Sequence, residues 1–277
     1  MSGWQDTMCQ GAAHGLVAPR ERVPFRPHGG NGPARHRDQT AILGLRGGTV
    51  AASITAIPMG IDNVYLVKGE RSIVVDGGQP GKFGPFARKL RQAGVSPSDI
   101  GLIVATHGHW DHIGCLAEMK QYTCAPLAMH AGDRNSIEAP NAVMPPGVTP
   151  WGRFLSALLS ATVIPWLKIP AASVDVIVPD DGMSLEPYGV SGRVLHTPGH
   201  TPGSVSIVLP SGDALVGDLA MNRIPLRLSP GLPIFAEDMA QLKRSIEKLL
   251  AAGAKTIYPA HGKPFPANVL KSAVAAM

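Results

Sequence analysis

Two segments of this chain follow one local plan, and that internal repeat narrows the fold more than any other feature. The first is NVYLVKGERSIVVDGG, residues 63–78, and the second is SVSIVLPSGDALVGDLA, residues 204–220. Each reads as a strand, a short polar turn with Gly, a second strand, and an Asp at that strand's end. Asn63 to Asp76 spans 13 positions, and Ser204 to Asp218 spans 14. An amphipathic helix is predicted after each. The first lies near 83–93, with Phe86, Leu90 and Ala93 on one face, and the second near 237–251, with Leu242, Ile246, Leu249 and Leu250 on one face. Gly94 and Gly253 then stand where a helix C-cap is expected. A further strand follows, DIGLIVA or KTIYPA, and it ends in His107-Gly108 or His261-Gly262. A pseudo-twofold stack of two such units predicts an α/β fold, an αββα sandwich of two packed sheets with helices outside. It would bring Asp218, His107 and His261 to one edge of the sheets.

The end of the first repeat carries more than one His. Residues 106–112 read THGHWDH, which places His107, His109, Asp111 and His112 within one short loop. Neutral imidazoles and carboxylates are the donors zinc accepts outside thiolate sites. A loop after a strand can turn both i, i+2 histidines to one point. Asp111 and His112 are predicted to open the next helix, with Asp111 near its N-cap. Three more positions supply partners: His200 in the turn TPGHTPGS, Asp218 at the end of an apolar strand, and His261 at the repeat-equivalent of His107. Each is a weak signal alone. Together they complete two metal sites.

With these motifs assembled, the chain resembles the metallo-β-lactamase superfamily over residues of about 55–266. The matching stretches are VVDGG with Asp76, THGHWDH, TPGHTPGS, VGDLA and PAHGKP. The resemblance implies that His107, His109 and His200 hold a first metal, that Asp111, His112 and His261 hold a second, and that Asp218 bridges them. Asp76 matches a position that supports the site without ligating. Departures narrow the family. The bridging Asp218 argues against a true β-lactamase. Only 16 residues follow His261, too few for the glutathione-binding helices of glyoxalase II. Acyl-homoserine lactonases carry a Tyr three residues after the bridging Asp, where this chain has Met221.

The implied enzyme is a zinc-dependent hydrolase of the dinuclear, glyoxalase II-like or lactonase-like branch. Two zinc ions, with iron or manganese as substitutes, activate a bridging water for attack on an ester, thioester or lactone. Asp111 is the residue expected to orient that nucleophile and carry its proton. Two alternatives share the fold: a mononuclear iron dioxygenase acting on persulfides, and a phosphodiesterase or nuclease. Residues 134–170 interrupt the repeat with six prolines and a helical run holding Trp151, Phe154, Leu155, Leu158, Leu159 and Thr162. This insertion is expected to act as a lid or a packing element. Trp151, Phe154 and Leu158, with Trp110 and Met221, are the candidate pocket residues for an acyl or otherwise hydrophobic small-molecule substrate.

Charge and composition bear on partners. Residues 1–48 hold six Arg, three acids, nine Gly and four Pro without periodicity, and are expected to form a disordered or loosely attached tail. The domain is expected over 49–277. Its 19 basic and 17 acidic residues show no basic run, so no nucleic-acid partner is expected. No apolar run is long enough to span a bilayer, so no membrane partner is expected either. The three cysteines lack CxxC spacing, which with the absence of a signal peptide suggests the cytoplasm. Cys115 is expected as a small core residue, and His130 and His196 as structural or solvent-facing. A homodimer is compatible with all of this.

Overall fold

The repeat strands are apolar at nearly every position, not at alternate ones, so each needs cover on both faces. In the structure, a computed structural model, they have it. The structure describes residues 51–277 apart from Ile224; the expected tail, 1–48, lies outside the described residues. Val50–Met277 is one compact unit.

Two six-stranded mixed sheets form the centre. In the first, β1 (Ser53–Pro58), β2 (Asn63–Lys68) and β3 (Ser72–Val75) are antiparallel. β4 (Ile100–Val104), β5 (Leu127–His130) and β6 (Val176–Val178) continue from β3 in parallel. In the second, β7 (Met183–Ser184), β8 (Arg193–His196), β9 (Val205–Val208) and β10 (Asp213–Leu215) are antiparallel. β11 (Thr256–Tyr258) joins β10 in parallel, and β12 (Phe265–Pro266) closes the edge antiparallel. The order β1-β2-β3-β4 thus has the same pairing senses as β8-β9-β10-β11, as the internal repeat requires.

The helices are α1 (Phe83–Gln92), α2 (Trp110–Ile113), α3 (Leu116–Thr123), α4 (Asn135–Glu138), α5 (Pro150–Thr162), α6 (Met239–Ala251) and α7 (Asn268–Ala275). Alternate strand residues face alternate layers. Tyr65, Val67, Ile73, Val75, Leu102 and Val104 meet Val194, Val205, Ile207 and Leu215 between the sheets. Leu66, Val74 and Ile103 point outward, under Phe86 and Leu90 of α1 and Leu116 and Met119 of α3. On the other side Ala214, Val216 and Ile257 lie under Leu242, Ile246 and Leu249 of α6 and Leu270 and Val274 of α7. Gly94 and Gly253 follow α1 and α6 with positive φ, as C-caps do.

The insertion contains α4 and α5. Thr149 caps α5, its hydroxyl accepting from the Gly152 N–H, with Pro150 in the first turn. From the expected apolar run only Leu155 is buried, in a cluster with Met221, Leu226, Ile234 and Phe235. The insertion is tied to the loop after β10 by backbone bonds from Val148 to Ile234 (2.9 Å) and from Ala236 to Pro146 (3.2 Å). The Trp151 indole N–H donates to the Pro225 carbonyl at 2.9 Å.

Candidate metal centre

The residues expected to ligate metal, with the supporting Asp76 and its neighbour Thr106, lie beyond strand ends on one edge of the sandwich. Asp76 follows β3; Thr106, His107 and His109 follow β4; Asp111 and His112 lie in α2; His200 lies between β8 and β9; Asp218 follows β10; His261 follows β11. Open α/β sheets gather ligands at the carboxyl ends of their parallel strands for this topological reason. Asp111, expected near the N-cap of the next helix, lies two places past it. His109 is the N-cap of α2 and Asp111 is inside its first turn, with no capping bond, so its carboxylate is left for the centre.

The ligand atoms of His107, His109 and His200 lie within 4.8 Å of one another, and so do those of Asp111, His112 and His261. Asp218 reaches both groups. Its Oδ2 is 3.6 Å from His200 Nε2 and 3.3 Å from His261 Nε2, and its Oδ1 is 3.5 Å from His112 Nε2. Asp111 Oδ2 is 3.3 Å from His261 Nε2. All seven side chains are buried.

Hydrogen bonds fix which nitrogen of each ring faces inward. His200 and His261 donate Nδ1–H to the carbonyls of Phe235 and Ile61, each at 2.9 Å. His112 donates Nδ1–H to Asp76 at 3.0 Å. The Thr106 hydroxyl gives its proton to Asp76 and so accepts from His107 Nδ1 at 3.1 Å. Four rings therefore turn an Nε2 lone pair inward, in the arrangement that metal-binding histidines use. His109 presents Nδ1, 3.0 Å from His200 Nε2. That is close to the ~3.3 Å expected between two nitrogens on one tetrahedral ion. His107 Nε2, His112 Nε2 and Asp218 Oδ1 are buried without a hydrogen-bond partner. Buried polar atoms are almost always satisfied, and a bound cation would satisfy all three. The donors fit a metal.

Electrostatics divide the centre. Burial, followed by the nearby His200, pushes His109 down to about 3. Burial and neighbouring rings hold His107 well below its ordinary value. These rings are neutral, as metal binding requires. Burial alone would also lower His112, but Asp218, Asp76 and Asp111 raise it to about 9. His261 is raised well above the usual range by Asp218 and Asp111 against the same burial penalty. On this side proton and cation compete for the same atoms.

The Asp76 support is strained. Its φ of 67° lies in the left-handed region, uncommon outside glycine. Gly217, before Asp218, also has positive φ (53°), and a Cβ there would lie 2.6 Å from the Thr106 hydroxyl. Glycine permits the close approach that brings Asp218 beside the Thr106–Asp76 pair.

Two residues that matter here carried no signal in the sequence. Asp133, just after β5, accepts from the Gly108 N–H (2.9 Å), the Thr201 hydroxyl (2.6 Å) and the Gly203 N–H (2.9 Å). It clamps the HGH loop to the TPGHTPGS loop. Asp62, beside Ile61, is fully buried with no partner on either oxygen, and burial followed by the Asp111 charge pushes it up to about 8. A lone Asp and a GD pair belong to no spacing pattern.

Of the candidate pocket residues, Trp110 and Met221 are buried, and Met221 pairs through its backbone with His261. Trp151, Phe154 and Leu158 are exposed on the outer side of α5. Cys115 is a buried free thiol in the core. His130, Asp180 and His196 form a further compact group, with the two rings stacked 3.8 Å apart. It is not a donor set of the same kind. The Gly132 N–H donates to His130 Nδ1, so the proton sits on Nε2, which donates to Asp180 at 2.8 Å. That ring has no inward lone pair left to ligate.

The chain's similarities agree with this geometry. The family described as the metallo-beta-lactamase superfamily matches residues 58–261. A probable metallo-hydrolase of Bacillus subtilis is 25% identical over 250 residues, covering 84% of this chain and 92% of that protein. An uncharacterized protein of Mycobacterium leprae is 31% identical, covering 76% of this chain and 91% of its own length. Among solved structures, the B3 metallo-beta-lactamase BLEG-1 superposes with a TM-score of 0.60 at 20% identity, over 78% of this chain and 95% of that one. A superfamily protein from the archaeon Sulfolobus tokodaii gives 0.59 at 18% identity, over 81% and 85%.

Proposed function

The chain belongs to the metallo-beta-lactamase superfamily and is a metal-dependent hydrolase, and from that premise we propose that it cleaves an ester, thioester or lactone with two zinc ions. The single observation that supports two metals is the pair of donor triads joined by Asp218, which lies 3.3 Å from His261 Nε2 and 3.6 Å from His200 Nε2. Zinc is the ion proposed because a set of five imidazoles and two carboxylates suits it, as it also suits iron and manganese. His107, His109 and His200 would hold one ion, and Asp111, His112 and His261 the other. When bound, the pair lowers the pKa of a shared water and polarises the substrate's carbonyl oxygen.

The chain's own residues do the rest. Asp76 and Thr106 orient His112 and His107, and the Phe235 and Ile61 carbonyls orient His200 and His261. Asp111 takes the proton of the attacking water at Oδ1, the oxygen farther from a ring nitrogen (4.0 Å to His112 Nε2, against 3.3 Å from Oδ2 to His261 Nε2). The complete second triad favours this reading over a single-iron dioxygenase. The apolar insertion beside Met221 favours an acyl substrate, and the compartment that suits the chain's cysteine usage is the cytoplasm.

The test is metal content by elemental analysis together with kcat/KM across lactones, thioesters, aryl esters, phosphodiesters and a β-lactam. About two zinc per chain and highest turnover on an acyl ester, thioester or lactone are expected. Asp218→Ala should lose metal and at least about a hundredfold in kcat/KM. One iron per chain with oxygen uptake on a persulfide, or preference for phosphodiesters, would overturn the proposal.

A further inference from the structure

The insertion and the loop after β10 carry most of the exposed large apolar side chains among the described residues. Among the described residues, the exposed large apolar side chains are Val143, Trp151, Phe154, Leu158 and Trp166 on the insertion, Leu228 on the loop, and only Ile177 and Met277 elsewhere. Trp166 is 82% exposed, Leu228 86% and Phe154 57%. Scattered exposed leucines are ordinary, but a cluster of aromatic and aliphatic tips on one small region marks an interaction surface. The two segments are one surface, joined by the Val148–Ile234 and Ala236–Pro146 backbone bonds, the Trp151–Pro225 bond and the Leu155 cluster.

Charge bears on the partner. Residues 139–174 contain Arg153 and Lys168 and no acid, and residues 219–236 contain Arg223 and Arg227 and no acid; the acids at their borders are Glu138, paired with Arg134, and the exposed Glu237 and Asp238 that precede α6. None of these four cations makes an ion pair among the described residues; Arg223 donates to the Gly60 carbonyl and Arg227 to those of Ser229 and Leu232, while Arg153 and Lys168 are exposed. We propose that this face docks on an anionic lipid bilayer, lying in its interface without crossing it. Trp166, Phe154 and Leu228 enter the boundary between headgroups and acyl chains, where amphipathic indole rings are at home. Arg153, Lys168 and the two loop arginines meet the lipid phosphates.

A second copy of the chain is a poorer occupant. A twofold contact through this face would set four cations against four, with exposed acids only at its border, Glu237 and Asp238. The lack of a spanning segment does not bear on the matter: no helix among the described residues is long and apolar enough to cross a membrane, and interfacial docking needs none. The face adjoins the metal centre, since Met221 pairs with His261 and the Phe235 carbonyl holds His200. Delivery of an acyl substrate from the bilayer follows only if the proposed reaction holds; the docking itself does not depend on it.

The full chain is tested by co-flotation with vesicles of phosphatidylcholine, alone or with about a third phosphatidylserine. Binding to the anionic vesicles is expected, about tenfold or more above the neutral ones and weakened by high salt, with a blue shift of tryptophan emission. Trp166→Ser with Leu228→Ser should cut binding about tenfold with unchanged melting. Should that variant fail to fold, Arg153→Gln with Lys168→Gln is expected to weaken binding in the same direction. Three results overturn the proposal: no binding to either vesicle, binding unaffected by the substitutions, which would place it elsewhere in the chain, or a dimer in sedimentation that Trp166→Ser dissolves while vesicles are ignored.

Discussion

Asp133 ligates nothing in either triad, yet both loops of the first triad hang on it. Its carboxylate takes hydrogen bonds from Gly108, Thr201 and Gly203, so it sets His107 and His109 against His200. Asp133→Ala leaves three donors without their acceptor and should destabilise the fold by about 3 kcal/mol. Zinc affinity is expected to fall about tenfold or more with all seven ligands intact; thermal melting and zinc titration check the two effects separately. A second expectation concerns pH. In metal-free protein His112 is raised to about 9 from its ordinary 6.5. Its contribution to stability is therefore full below about pH 6.5 and lost as pH rises through about 9. His107 and His109 are depressed and act the other way, destabilising the metal-free fold as pH falls below about 6.5. A melting series on chelated protein should peak near that point and decline toward pH 9. Zinc affinity should instead increase over that range, because the ion displaces a proton.

At the scale of elements, α1 and α6 each follow a hairpin that ends in an Asp and cover one outer sheet face. Leu90 of α1 is fully buried against the first sheet and Ile246 of α6 against the second. Leu90→Ala should cost about 2–5 kcal/mol in urea unfolding, with metal content retained because the cavity lies behind the sheet and not at its edge. Both helices and the faces they bury were legible in the sequence, since period and cover coincide there. For α5 they do not. The periodicity of Trp151, Phe154, Leu155 and Leu158 specifies a helix, and the helix forms, but periodicity cannot say which side another element covers. Leu155 is buried against the loop after β10 and the Trp151 indole reaches that loop's Pro225 carbonyl, while Phe154 and Leu158 stay exposed.

For the whole molecule, the metal centre is a seam. His107, His109, Asp111 and His112 come from the first repeat unit, and His200, Asp218 and His261 from the later half. A cation held by both should tie the halves together. Chelation is expected to lower Tm by about 10 °C if free metal exceeds its Kd about a thousandfold, and zinc should restore it; calorimetry with and without chelator measures the difference. What the sequence determined by itself was whatever local chemistry encodes: strands apolar on both faces, helices with one apolar stripe, a repeat that pairs them, and seven donors whose types and strand-end positions name a metal. What only the tertiary structure decided is set by approach across long separations. Asp133 closes on Gly203 from 70 positions away, and Ile61 accepts from His261 across 200. Asp62 is buried without a partner, and α5 keeps its aromatics in the open. Hydrogen-bond partners and cover arise from packing distant segments together, and no spacing along the chain records which segments will meet.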